Sequence, residues 1–272
     1  MIISFPNLNL SFDINPVAFN FFGRGVYWYG LIMGLAMICS VVFLIYNAKK
    51  NTLESDFVVN SLPYIFVCGI IGARLYYILG SIGEYIEKPW EIIAIWHGGI
   101  AIYGAIIGGG LGLYYFCKKS KMDYIYILDI YIPSLILGQA IGRWGNFFNG
   151  EAFGIATGGR FEMIIERGKD IRIASPTFLY ESIACLIGFV LLIILPKIFK
   201  KFYEKRGNVF YTYLVLYGIA RFFIEGLRTD SLPKGAPFKI SQILSCVIVL
   251  FGIFMLYKNR NNQDLDKAKK PS

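Results

Sequence analysis

The chain has 272 residues, 56% of them hydrophobic and only 17% charged. That is too little charge to cover the surface of a soluble domain, and the mean hydropathy of +0.55 agrees. A net charge of +9 does not call for nucleic acid, because Lys and Arg fall in short segments between apolar runs, where they read as membrane topology.

Several of those runs reach the ~17–25 residues that an α-helix needs to cross about 30 Å of hydrocarbon. Backbone groups in lipid must pair internally, and continuous apolar runs without strand alternation select helices over a barrel. The expected class is therefore all-α: a polytopic helical membrane protein of about seven transmembrane helices, in a single domain over residues 1–272. The first 25 residues hold Pro6, Asp13 and Pro16 and lack a basic segment followed by an apolar one, so no cleavable signal peptide is expected. Helices are expected at Tyr29–Tyr46, Val58–Leu79, Ile92–Phe116, Tyr124–Ala140, Phe178–Leu195, Val209–Ile224 and Ile240–Leu256.

The connecting segments alternate in charge. Lys49 and Lys50 follow the first helix, Glu84, Glu87 and Glu91 against Lys88 the second, and Lys118, Lys119 and Lys121 the third. Lys197, Lys200, Lys201, Lys205 and Arg206 follow the fifth, and the tail 258–272 carries Lys258, Arg260, Lys267, Lys269 and Lys270. The positive-inside rule then places the N-terminus outside and the C-terminus in the cytoplasm. Segment 142–176 falls outside by this count despite five basic residues. Within it, Arg160–Ile165 and Asp170–Ile173 flank Gly168-Lys169 as a small extracytoplasmic hairpin. Trp28, Trp90, Trp96 and Trp144 all fall at the expected outer boundary, where indole rings settle. Gly104, Gly108 and Gly112 recur every fourth residue, a pattern for close helix packing in lipid. The five cysteines are scattered singly within apolar runs and suggest neither disulfides nor a metal site.

Charges at bilayer depth are the informative residues, since each costs roughly 2.5–3.5 kcal/mol on insertion scales. Arg74 lies in mid-helix. Arg143 opens a segment rich in Gly and Asn that includes Asn146, Asn149 and Glu151. Arg221, Glu225 and Arg228, spaced by four and three, share one helical face. That last group reads either as an ion triad holding helices together or as an anion site. Arginine offers paired planar donors that match phosphate, and two arginines against one glutamate leave positive charge. The Arg143 segment reads either as an ordinary turn or as backbone and amide groups presented to a ligand.

Tyr29-Gly30, Gly98-Gly99-Ile100-Ala101, Gly142-Arg143-Trp144-Gly145-Asn146-Phe147-Phe148-Asn149-Gly150-Glu151, Pro176-Thr177-Phe178-Leu179-Tyr180-Glu181 and Arg221-Phe222-Phe223-Ile224-Glu225 together resemble the prolipoprotein diacylglyceryl transferase family. The matches run in family order from about residue 27 to 245. The resemblance implies transfer of the diacylglyceryl group of phosphatidylglycerol to the lipobox cysteine of a preprolipoprotein signal peptide, at the bacterial plasma membrane, with no cofactor and no metal. It implies catalytic roles for Arg143 and Arg221, candidate bases in Glu151 and Glu225, and phosphatidylglycerol contacts from Arg143, Asn146, Asn149, Arg221, Arg228 and Tyr29. Two positions depart from the family. Tyr103 and Ser175 stand where many members have histidine. A tyrosine hydroxyl, whose reference pKa is near 10, suits hydrogen-bond donation to phosphate better than proton abstraction. His97, the one histidine, reads as an interfacial polar residue. The rival function is a secondary transporter for an organic anion, which intramembrane arginines and glycine-interrupted helices would also suit.

Overall fold

The computed structural model describes residues 1–87, 89–228 and 239–268; Lys88, Lys269 and Lys270 lie outside the described residues. The protein is mostly helical and multi-pass. Its long helices are α1 (Trp28–Lys50), α2 (Ser55–Gly80), α4 (Ile102–Lys119), α5 (Tyr124–Asn149), α6 (Thr177–Ile198), α8 (Asn208–Leu227) and α9 (Ile240–Ala268), with short α3 (Ile82–Glu87) and α7 (Lys200–Tyr203) between them. Among the described residues, six segments are long and apolar enough to cross a membrane: α1, α2, α5, α6, α8 and Ile240–Asn261 of α9. Chain contacts divide the molecule into two compact units, Met1–Phe43 with Tyr131–Ser272, and Leu44–Ile130.

In the first unit, α5, α6 and α8 share a core of Ile132, Ile136, Ala140, Cys185, Leu192, Val209 and Tyr213. Lipid tails are as apolar as these side chains, so association rests on close packing and on polar contacts. Ser182 Oγ donates to the Ala140 carbonyl at 2.8 Å, and Gln139 Nε2 donates to the Tyr213 hydroxyl at 3.1 Å. Gly218 of α8 lies against the Ser245 carbonyl and the Val249 side chain of α9, where a Cβ would not fit.

The first 27 residues hold four strands and a 3-10 turn, which the reading of the sequence as all-α did not foresee. β1 (Ile2–Phe5) and β2 (Leu10–Asp13) join the hairpin of β5 (Met163–Arg167) and β6 (Asp170–Ala174) in an antiparallel sheet of order β2-β1-β5-β6. The expected hairpin at Gly168-Lys169 is present, with Gly168 at φ +62°. Alternation on β1 and β5 turns Ile3, Phe5, Met163 and Ile165 onto Phe147 at the end of α5 and Phe178 at the start of α6. Each side chain fully buried there contributes roughly 1.5–3 kcal/mol. The sheet thus fixes the mouths of two helices. A second hairpin, β3 (Val17–Phe21) and β4 (Arg24–Tyr27), leads directly into α1.

Three helix boundaries differ most from expectation. The last helix runs to Ala268 rather than ending at Leu256. The run from Ile92 does not begin a helix: short 3-10 turns occupy Pro89–Ile93 and Ile95–His97, Gly98 and Gly99 take φ of +88° and +73°, and α4 starts at Ile102. The fourth helix instead outlasts Ala140 and ends at Asn149, because Gly142 and Gly145 pack against Met33 and the Tyr29 ring rather than turning the chain. The turn comes at Gly150, at φ +57°. Arg143 therefore stands on a helix.

In the second unit, the glycine repeat does what its spacing suggested. A Cβ on Gly104, Gly108 or Gly112 would collide with the carbonyls of Gly72, Cys68 or Tyr64, so α2 and α4 run antiparallel at backbone contact. Arg74, buried on α2, donates Nε to the Ile92 carbonyl at 3.0 Å and Nη1 to the carbonyls of Gly98 and Gly99 at 2.7 and 2.8 Å. Its Nη2 donates to the Glu91 carbonyl, and its guanidinium lies 5.2 Å from the Tyr85 ring centroid. Arg74 is a clasp for the segment between α3 and α4.

Candidate functional site

The first unit gathers five charged side chains at the ends of three helices. Glu181, in the second turn of α6, is the centre. Its Oε2 pairs with Arg143 Nη2 at 2.5 Å, and its Oε1 accepts from Arg221 Nη1 at 2.9 Å and Arg228 Nη1 at 3.1 Å. Arg221 also reaches Glu225 Oε2 through Nη2 at 2.6 Å, an i,i+4 contact on α8. Among the described residues, three guanidinium groups meet two carboxylates, and Glu181 is shared by all three. The carboxylates are the buried partners, at 6% and 4% side-chain exposure, whereas Arg143 and Arg221 keep 25% and 20%. A buried carboxylate that accepts from three arginines fixes their planes in advance, so that the exposed donors are already oriented for an anion.

Local chemistry holds the parts in place. Arg228 lies one residue beyond α8, at ψ 145°, rather than within the helix as its spacing suggested, yet its side chain still reaches Glu181. Gly154 bridges to both Ser175 and Arg228, and a Cβ there would strike the Leu227 carbonyl. Lys239 Nζ donates to the Glu225 carbonyl at 2.8 Å and to that of Arg228 at 2.5 Å, a cation on the last turn of α8 where the helix dipole favours one. Ser175 is buried and donates to the Ile155 carbonyl at 2.7 Å, so the residue standing at a common histidine position is structural.

A second group sits at the end of α5. Asn146 and Asn149 direct their amide nitrogens at Glu151 Oε1, at 3.1 and 3.4 Å, and the Glu151 amide closes the turn on the Asn146 carbonyl at 3.0 Å. Glu151 is exposed, and Tyr29 packs its half-buried ring on Gly145. A cleft of about 730 Å³ adjoins this end, lined by Met1, Asp13, Asn149, Glu166 and Arg167, but none of the five ion-cluster residues lines it. Tyr103 belongs to the second unit, in the first turn of α4, 39% exposed and with its ring 6.2 Å from that of Tyr76. His97 pairs through Nδ1 with Glu91 Oε2 at 2.9 Å, between the edges of Trp90 and Trp96.

The geometry thus joins Arg143, Arg221, Glu225 and Arg228, and adds Glu181, which had been quoted only within a motif. The signal for it was present: Glu181 is the lone acid on the apolar helix α6, and the rule that singled out Arg74 applies to it equally.

A family model described as prolipoprotein diacylglyceryl transferase matches residues 16–258. A protein of Finegoldia magna named phosphatidylglycerol–prolipoprotein diacylglyceryl transferase is 40% identical over 245 residues, covering 90% of this chain and 96% of that one. Proteins of the same name from Pediococcus pentosaceus and Lactobacillus acidophilus are 39% and 41% identical, over 94% and 91% of both chains. These likenesses favour the transferase reading over the transporter. The chain belongs to the prolipoprotein diacylglyceryl transferase family.

Proposed function

We propose that this chain transfers the diacylglyceryl group of phosphatidylglycerol to the thiol of a lipobox cysteine in a preprolipoprotein. The sulfur forms a bond to the terminal glyceryl carbon, and the bond from that carbon to the phosphate oxygen breaks. The electron pair leaves with glycerol phosphate, and the thiol proton passes to a base. A phosphodiester of charge about −1 becomes a monoester approaching −2, so the transition state gains negative charge at the phosphate. Donors and positive charge already fixed around that position are the largest kind of help an active site offers.

The observation that carries this reading is the convergence of Arg143, Arg221 and Arg228 on buried Glu181, with Arg143 and Arg221 still partly exposed. Arg143 and Arg221 take the phosphate, with Arg228 behind them. Asn146, Asn149 and Tyr29 line the lipid's approach along α5. Glu151, exposed and held by two amides, and Glu225, beside Arg221, are the candidate bases. A thiol with a pKa near 8.5 also deprotonates more readily in the field of the arginines. The family resemblance alone supports Tyr103 as a hydrogen-bond donor in the transfer.

We further infer that α4 is a seventh crossing within one membrane-embedded domain. Its glycines follow α2, itself long and apolar enough to span, from Tyr64 to Gly72. Seven crossings put the Lys-rich segments after α1, α4 and α6 and the basic tail on the cytoplasmic side, with the N-terminus and the site at the outer leaflet of a bacterial plasma membrane. The test is purified protein with a lipobox peptide and vesicles of either phosphatidylglycerol or phosphatidylethanolamine, with the peptide mass followed in time. Transfer from phosphatidylglycerol alone is expected. Equal transfer from both headgroups contradicts the assignment of the arginines.

A further inference from the structure

The hairpin of β3 and β4 is anchored at one end and bare at the other. At its base, the Trp28 amide donates to the Pro16 carbonyl at 3.0 Å, and the Trp28 ring packs 5.4 Å from Phe148. At its tip, Phe21 pairs with Arg24 across a two-residue turn of Phe22 and Gly23, at φ +47° and +74°. Phe22 is 92% exposed, Phe21 61% and Phe19 51%, and the rings of Phe21 and Phe22 meet edge to face at 4.6 Å.

Turns with two positive φ values are normally built from Asn, Asp and Gly. A bulky aromatic at positive φ is disfavoured by backbone sterics, so Phe22 holds its place against local preference. Water offers such a ring nothing in return. An exposed aromatic cluster beside one arginine suits the boundary between phospholipid headgroups and acyl chains, where rings settle and a guanidinium meets phosphate. The chain itself says which surface is near. α1 begins at Trp28, one residue after β4 ends, and α1 is a spanning segment little buried by protein. Six residues of strand reach at most ~20 Å, which keeps the tip within the span of the headgroup layer from the mouth of α1.

We propose that the tip Phe19–Arg24 inserts into the headgroup–acyl boundary of the leaflet in which α1 begins, as a lipid contact separate from the arginine cluster. The occupant is the bilayer itself. The inference requires that α1 cross a membrane and is independent of the transfer chemistry.

The experiment places an environment-sensitive fluorescent amino acid at position 22 and, in a second protein, at position 21. Each is reconstituted in vesicles of phosphatidylglycerol and phosphatidylcholine. A nitroxide carried near the lipid headgroup should quench both probes several-fold more strongly than aqueous iodide does. Free quenching by iodide with none from the lipid nitroxide would put the tip in water and overturn the proposal. Protection from both quenchers would mean that a second copy or another polypeptide covers the tip, which overturns it equally. Neither result touches the transferase reading, which rests on the peptide assay.

Discussion

Arg74 and Arg221 are both arginines on apolar helices, and the two places are built in opposite ways. Arg74 gives every guanidinium nitrogen to a backbone carbonyl, lies against Tyr85, and is 6% exposed. Its donors are consumed by the fold. Arg221 shares the Glu181 carboxylate with Arg143 and Arg228, and Arg143 and Arg221 stay partly exposed. An intramembrane charge is therefore not by itself a sign of function. What distinguishes the two is whether its partners leave capacity for a ligand.

Substitutions can break this contrast from either side. The largest effect is expected for Arg74→Ala, which strands four carbonyls, at about 1–3 kcal/mol for each left without a donor. Yield and thermal stability in detergent should collapse. A stable Arg74→Ala protein would show that the clasp is dispensable. Next comes Glu181→Gln, which leaves three arginines around a neutral amide. Removing one partner of a buried pair costs about 3–5 kcal/mol. The melting temperature should fall, and phosphatidylglycerol should restore part of it where phosphatidylcholine does not, since an anion then compensates the arginines. Equal recovery in both lipids would argue against an anion site.

Tyr103→Phe should be milder. It removes one hydrogen bond, worth roughly 0.5–1.5 kcal/mol for a neutral pair or 1.5–3 kcal/mol to a charged phosphate. At about 1.4 kcal/mol per decade, peptide lipidation should slow between a few-fold and a hundredfold. A thousandfold loss would instead make Tyr103 the base. The smallest effect is expected for His97→Ala, whose half-exposed ring pairs with Glu91 between two tryptophans. Initial rates across a pH series should be nearly unchanged, and abolished activity in a folded protein would place the base at His97.

Much of the fold was legible because long apolar runs leave the backbone few choices. The misreadings each have a physical cause. His97-Gly98-Gly99 interrupts an apolar run whose composition continues smoothly, and only the positive φ of the two glycines moves the start of α4 to Ile102. Gly142 and Gly145 look like turn residues, yet Met33 and Tyr29 pack on them, and α5 runs on. The strand at Ile2–Phe5 pairs with Ile164–Glu166, more than 150 residues away, and short runs do not announce distant partners. The hairpin at Gly168 was readable because its pairing is local. The site was legible as an arginine face but not as a cluster, since Glu181, its centre, lies on a different helix.

The most direct test compares phosphatidylglycerol-dependent kcat/KM for Arg143→Lys, Arg221→Lys and Arg74→Lys, each normalised to correctly inserted protein. Lysine keeps the charge and loses the fork. If the cluster's arginines hold the phosphate, the first two should fall on the order of 10²–10³-fold, the loss typical of removing a donor aimed at a developing oxyanion. Folded Arg74→Lys should stay within a few-fold of the parent. Near-normal turnover in Arg143→Lys and Arg221→Lys, or an equal loss in all three, would contradict the distinction between a clasp and a site.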